Sequence, residues 1–290
     1  MSKELQTKKT LDGKKMIKFI KKFFLFVCFV SIVTAIGCTK NSGNKVVIKG
    51  STTVLPITQK TTEEFRKSNK ISITIEGSGS GNGIKALLDG TCDIANSSRE
   101  MKAEESEEAK KRGIEVQEIT VAIDMIVPVV NTANPVQNLS MAQLKAIYDG
   151  SISNWKQLGG NDASIVAISR DTSSGTYEIW HEKVMKKTDV RNDALLQASN
   201  GAIVSAVAGN PKAVGYVGYG YVDSSIKALS VDKKNPTIEN GKSGVYPISR
   251  KLYMYVNKNK LSAETKKYID FVLSPEGQKL VKETGFISIK

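Results

Sequence analysis

Histidine occurs once in these 290 residues, cysteine three times and tryptophan twice. The lone His181, in "IWHEKVM", has no second histidine to complete an H-E-x-x-H zinc motif. It also lies only one or two helical turns past the hydroxyls of "SRDTSSGT", too close along one helix to serve them as a base, so a surface or capping role is the simpler reading. That run is not a G-x-S-x-G nucleophile elbow either. With no clustered His or Cys and no carboxylate array at calcium spacing, a metal site is not expected. Nucleotide loops fail in the same way. "NGKS" ends like a phosphate loop but has Pro236 where the first glycine belongs, and "GSGSGNG" has Asn82 where a dinucleotide fingerprint needs its last glycine. The expectation is a chain that is not an enzyme and uses no cofactor.

The one long apolar run is near the start, in "MIKFIKKFFLFVCFVSIVTAIGC", Met16 to Cys38. Lys18, Lys21 and Lys22 precede an apolar stretch, Phe23 to Ile36, of signal-peptide length rather than membrane-span length. It ends at "AIGC", which resembles the lipobox of bacterial lipoproteins, with Ala35 where leucine is usual. That resemblance implies a signal peptide over residues 1–37, lipid on Cys38 and a tether over 38–45, with Met16 as an alternative start. Cys28 falls in the discarded part, which leaves Cys92 without a partner, so no disulfide is expected. The first 37 residues hold eight lysines against two acids, and their removal takes the formal charge from +13 to +7. A +7 surface could attract nucleic acid. The lysines, however, stand beside acids, as in "KAEESEEAKKRG" with Glu107/Lys111 and Glu108/Arg112 at i,i+4. A solvated face is expected, with no nucleic-acid partner.

From Val46 onward, strand and helix patterns alternate. "KVVIKG" reads as a buried strand, Leu55–Phe65 as a helix, "ISITIEG" as a strand of period two and "GIKALLDG" as a helix ended by Gly90. A helix from Lys102 to Arg112 and a long strand, Ile119–Val130, follow. A second set begins near Asn131, with a capping box at Ser140 and Gln143, the strand "SIVAIS", the helix "GTYEIWHEKVM" and the strand "AVGYVGYGYV". A second long strand, Tyr246–Val256, precedes two helices, the later one started by Ser274 and Pro275. The rhythm predicts an α/β protein with mostly parallel sheets flanked by helices. If both long strands cross between halves, residues 46–124 plus 247–290 form one lobe and 125–246 the other, a hinged clamshell with a cleft at the carboxyl ends of the strands.

Four loops at predicted strand ends concentrate hydrogen-bond donors: "GSTTVLPI" (Gly50–Ile57), "GSGSGNGIK" (Gly77–Lys85), "NSSRE" (Asn96–Glu100) and "SRDTSSGT" (Ser169–Thr176). Hydroxyls add donors without charge, glycines let backbone N–H groups approach, and helix N-termini favour anions. In this order the motifs resemble those of the substrate-binding lipoproteins of bacterial ABC phosphate importers. These have the type II periplasmic-binding-protein fold, and the likeness spans about Val46 to Ile289. The resemblance implies phosphate ligands at Thr52, Thr53, Ser80, Ser98, Arg170, Ser174, Gly175 and Thr176, with Thr53 and Gly175 acting mainly through backbone N–H. It also implies an ABC permease as partner, a membrane-anchored position facing the periplasm or cell exterior, and a monomer. Some members carry aspartate where this chain has Ser98, and that carboxylate takes the proton of hydrogen phosphate. Another acceptor, such as Asp93, Asp171 or a backbone carbonyl, is therefore expected in the cleft. Binders of sulfate or molybdate, and surface adhesins on the same fold, are the alternatives.

Overall fold

The structure, a computed structural model, describes residues 45–290. The signal segment, Cys38 and the tether up to residue 44 lie outside the described residues, and Lys45 already belongs to the first strand.

The first half of the chain runs β1 (Lys45–Gly50), α1 (Leu55–Ser68), β2 (Ser72–Gly77), α2 (Ser80–Leu88), β3 (Ile94–Ser97), α3 (Ala103–Lys111) and β4 (Val116–Asn131). The second half adds β5 (Asn138–Leu139), α4 (Met141–Tyr148), β6 (Val166–Arg170), α5 (Gly175–Lys183), β7 (Leu195–Gln197), α6 (Asn200–Ala208), β8 (Ala213–Gly218), β9 (Ile226–Ala228) and β10 (Ser230–Val231). The chain closes with α7 (Ile238–Lys242), β11 (Ser249–Asn257), α8 (Ala263–Leu273) and α9 (Pro275–Glu283).

Local chemistry accounts for many of these ends. Ser140 Oγ accepts from Gln143 N–H at 3.1 Å while Gln143 Oε1 accepts from Ser140 N–H at 2.8 Å, the reciprocal box that starts α4. Ser274 Oγ accepts from Gly277 N–H at 3.1 Å to start α9, with Pro275 in its first turn. Buried Thr61 on α1 is satisfied by the Ile57 carbonyl at 2.8 Å and the Tyr268 hydroxyl at 2.8 Å, so the polar group costs the core little. Several boundaries differ from the sequence reading, among them the end of β8, which stops at Gly218 rather than Val222. Helix α2 starts at Ser80 rather than Gly83, because Gly79 takes φ 99° and turns the chain straight into the helix. Strand β4 starts at Val116, and β11 starts at Ser249 rather than Tyr246. Strand β7 and helix α6 were not anticipated.

Nine strands form one curled mixed sheet in the order β2-β1-β3-β11-β4-β8-β6-β7, with β9 also on β4. Strands β1, β2 and β3 pair in parallel, as do β6, β7 and β8, whereas β4 and β11 run antiparallel to their neighbours. Strand β4 pairs with β11 through Met125 and with β8 from Ile126 onward, so it belongs to both halves of the sheet. Each half has its own core. One gathers Val46, Ile48, Phe65, Leu252, Met254 and Val272. The other gathers Val127, Trp155, Trp180, Val214 and Tyr216, with Trp180 stacked on Tyr216 at 4.1 Å and 4°. Among the described residues no helix is long and apolar enough to cross a membrane.

Candidate functional site

All four donor-rich loops leave the carboxyl ends of parallel strands, β1, β2, β3 and β6. They meet between the two halves of the sheet. Thr53 Oγ1 lies 3.0 Å from Thr176 Oγ1, joining the first loop to the fourth. Ser80 Oγ lies 3.3 Å from Ser98 Oγ and accepts from Ser98 N–H at 3.0 Å, joining the second to the third. Gly175 closes the ring. A Cβ added there would fall 2.5 Å from Ser80 Oγ and 2.8 Å from Ser98 Oγ, so only glycine fits beside both hydroxyls. The second and fourth loops are also tied by Gly81 N–H donating to the Ser173 carbonyl at 3.0 Å.

Thr53, Ser80, Ser98, Gly175 and Thr176 are thus brought together, and all eight sequence-derived positions are buried. Ser80 and Thr176 are wholly enclosed, Thr52 is 4% exposed, and Gly175 is buried with them. Two details differ from expectation. Thr53 N–H donates to Ser51 Oγ at 3.1 Å, so the backbone donor assigned to it has a partner within its own loop. Ser174 caps α5, its Oγ accepting from the N–H groups of Thr176 at 3.2 Å and Tyr177 at 3.3 Å.

Arg170 ends β6 with its side chain 1% exposed. Its Nε donates to the Gln197 carbonyl at 3.0 Å and Nη2 to the Ala198 carbonyl at 2.9 Å, so the β7–α6 loop fixes the fork. Asp171 Oδ2 stands 3.6 Å from Nη2, and Asp171 Oδ1 accepts from Ser173 N–H at 2.9 Å. Burial pushes the Arg170 guanidinium down from its usual range, with Asp171 opposing that shift. The group stays charged all the same.

Sequence reasoning missed three residues here. Arg250 on β11 and Asp124 on β4 are cross-strand partners, joined from Nε at 2.9 Å and Nη2 at 2.7 Å to Asp124 Oδ2. Arg250 also reaches the Ser98 carbonyl at 3.2 Å and Thr53 Oγ1 at 3.4 Å. The third is Asn200 at the start of α6, which donates to both Thr52 and Thr53. Of the expected acceptors, Asp93 is engaged instead at the other end of β3, accepting from Val47 N–H at 2.7 Å. The buried carboxylate near the ring is Asp124.

An enclosed ring of hydroxyls, a helix N-terminus and a buried arginine paired only loosely with Asp171, at 3.6 Å, is a binding arrangement for a small anion. A buried charge needs many donors at once, since no single contact offsets its lost hydration.

Comparison with known proteins agrees with this class. A sequence model described as the PBP superfamily domain matches residues 37–276. The phosphate-binding protein PstS of Borreliella burgdorferi is 33% identical over 284 residues, spanning 93% of this chain and 100% of that protein. Its namesake from Staphylococcus saprophyticus is 34% identical over 254 residues, 83% of this chain and 79% of that one. Among solved structures, a phosphate ABC transporter substrate-binding protein of Clostridium perfringens with bound phosphate superposes with a TM-score of 0.80 at 38% identity, covering 85% of this chain and all of that one. An ABC-type phosphate transport receptor from Vibrio cholerae gives 0.69 at 35%, covering 83% of this chain and 99% of that one. The chain belongs to the PstS family of the PBP superfamily, a family of substrate-binding proteins rather than enzymes.

Proposed function

We propose that this protein binds inorganic phosphate outside the cytoplasm and delivers it to the membrane permease of an ABC importer. The observation that carries this is the meeting of the buried hydroxyls of Thr53, Ser80, Ser98 and Thr176 around Gly175, where an added Cβ would clash, on the loop that also carries the buried Arg170 and Ser174. Thr52 completes the ligand set, and Thr53, whose N–H and hydroxyl are both engaged within the protein, supports it from behind. Charge-assisted hydrogen bonds contribute about 1.5–3 kcal/mol each, so a handful supports micromolar or tighter binding, about −8 kcal/mol or beyond. Residues 46–124 plus 247–290 and residues 125–246 act as the two lobes, hinged at β4 and β11. The mature protein is a monomer held to the membrane by lipid on Cys38.

Ser98 in place of aspartate favours one rival, a trap for any tetrahedral oxyanion. Titration calorimetry with phosphate, sulfate and molybdate in turn separates the two. Phosphate is expected to bind at least a thousandfold more tightly than sulfate; comparable affinities contradict phosphate specificity, and no uptake of any of the three contradicts transport of an oxyanion.

A further inference from the structure

Asn200 is completely buried, and its amide has one permitted orientation. Oδ1 accepts from Gly218 N–H at 3.1 Å, so Nδ2 faces the first loop and donates to Thr52 Oγ1 and Thr53 Oγ1, both at 3.1 Å. The reversed amide would set two donors against each other at Gly218.

Proton directions follow from this. A hydroxyl oxygen has two lone pairs and one proton. Both lone pairs of Thr53 face groups that can only donate, Asn200 Nδ2 and Arg250 Nη2. Its proton therefore goes to the remaining neighbour, Thr176 Oγ1 at 3.0 Å. Thr176 accepts there, which leaves its own proton for something else. Thr52 likewise accepts from Asn200. Ser174 accepts two backbone N–H groups of α5, so its proton also points away from the helix. The Ser80–Ser98 pair is different, because either hydroxyl can donate to the other across 3.3 Å.

We propose that Asn200 is a positioning residue that fixes the hydroxyl polarity of the anion site, turning Thr52 and Thr176 into donors. The inference rests on the phosphate reading and adds an orientation to it. The unprotonated oxygens of hydrogen phosphate face the threonine wall, and the protonated oxygen faces Ser80 and Ser98, where a hydroxyl is free to accept.

Phosphate titrations of wild type, Asn200→Asp and Asn200→Leu between pH 8 and pH 5 test this, each variant being referred to wild type at the same pH. Asn200→Asp keeps the shape and the acceptor for Gly218 but replaces donor with acceptor. It is expected to bind at least a hundredfold more weakly at pH 8 and to recover at least tenfold by pH 5, as its carboxyl gains a proton it can donate. Asn200→Leu, without donor or charge, is expected to lose at least tenfold by the same factor at every pH. If wild type takes up phosphate and either variant matches it, or if Asn200→Asp shows no recovery in acid, the relay is wrong while the phosphate reading stands. If wild type takes up no phosphate, both fall. Should the Asn200 variants not fold, Thr53→Val removes the hydroxyl through which Asn200 acts on Thr176. At least a fivefold loss is then expected, and unchanged affinity overturns the proposal.

Discussion

Arg170 and Arg250 are both buried near the same ring of hydroxyls, yet they differ in what balances them. Arg250 is held by Asp124 at 2.7 Å, and burial pushes that carboxyl up and the Arg250 guanidinium down while their pairing opposes both shifts. The pair is neutral as a unit, and breaking it would leave an uncompensated buried charge. Arg170 donates to two carbonyls and stands 3.6 Å from the partly exposed carboxylate of Asp171, a looser pairing than Asp124 gives Arg250, so more of its charge is left to the proposed site. Replacing it by lysine keeps the charge but loses the planar fork. Phosphate affinity of Arg170→Lys is expected to fall at least tenfold, about 1.4 kcal/mol, with the melting temperature of the ligand-free protein little changed; calorimetry and a thermal scan read both. Cys92 behaves oppositely to a reactive thiol. Burial, with Asp93 nearby, pushes it up to about 12, and its Sγ points at the Gly83 carbonyl. At pH 8 it is expected to resist alkylation in the native protein and to react at once in denaturant; equal rates in both states would contradict its burial.

Between elements, one tie across the site is ionic. Glu178 on α5 meets Arg99 Nε at 2.8 Å and Lys102 Nζ at 3.0 Å, and Arg99 is also forked onto Glu105 at 2.7 Å. Arg99 and Lys102 lie on or beside the third donor-rich loop, so the contact joins the half built on β3 to the half built on β6. Glu178→Gln leaves Lys102 unpaired and is expected to weaken phosphate binding by about three- to tenfold, mainly through faster release, as partly exposed pairs contribute about 1 kcal/mol. Stopped-flow release rates check this, and an unchanged rate would remove the contact from the closure. The elements that carry the four loops were legible because each has local punctuation: a β-branched strand, a glycine or hydroxyl run, then a helical period. Asn200, Asp124 and Arg250 were not. Helix α6, "NGAIVSAVA", is too uniformly apolar to show a polar face, and one turn from its cap it reads as core. Asp124 interrupts an apolar strand, and its partner lies 126 residues away in a register that no sequence pattern encodes. Asp93, one of the three acceptors considered, lies instead at the start of β3 on the Val47 N–H, since nearness along the chain does not fix which end of a strand a residue occupies.

At the scale of the whole molecule, two packed cores share one sheet through β4 and β11, and the donor loops converge where the two halves face each other. The arrangement suits a receptor that closes on a small ion and releases it by opening. In the proposed role, lipid on Cys38 of the "AIGC" segment would keep the receptor near the membrane. A protein with two or three acyl chains stays bound where one chain would dissociate. Cys38→Ala is accordingly expected to abolish metabolic labelling with palmitate and to release the protein from the membrane fraction; labelling at the wild-type level would rule out Cys38 as the anchor. The central claim is where the anion sits, and a crystal structure of the protein grown with phosphate tests it most directly. The account predicts tetrahedral density enclosed by Ser80, Ser98, Arg170, Gly175 and Thr176, with the Arg170 fork on two of its oxygens. Phosphate bound elsewhere, with Arg170 turned away from it, would contradict the account.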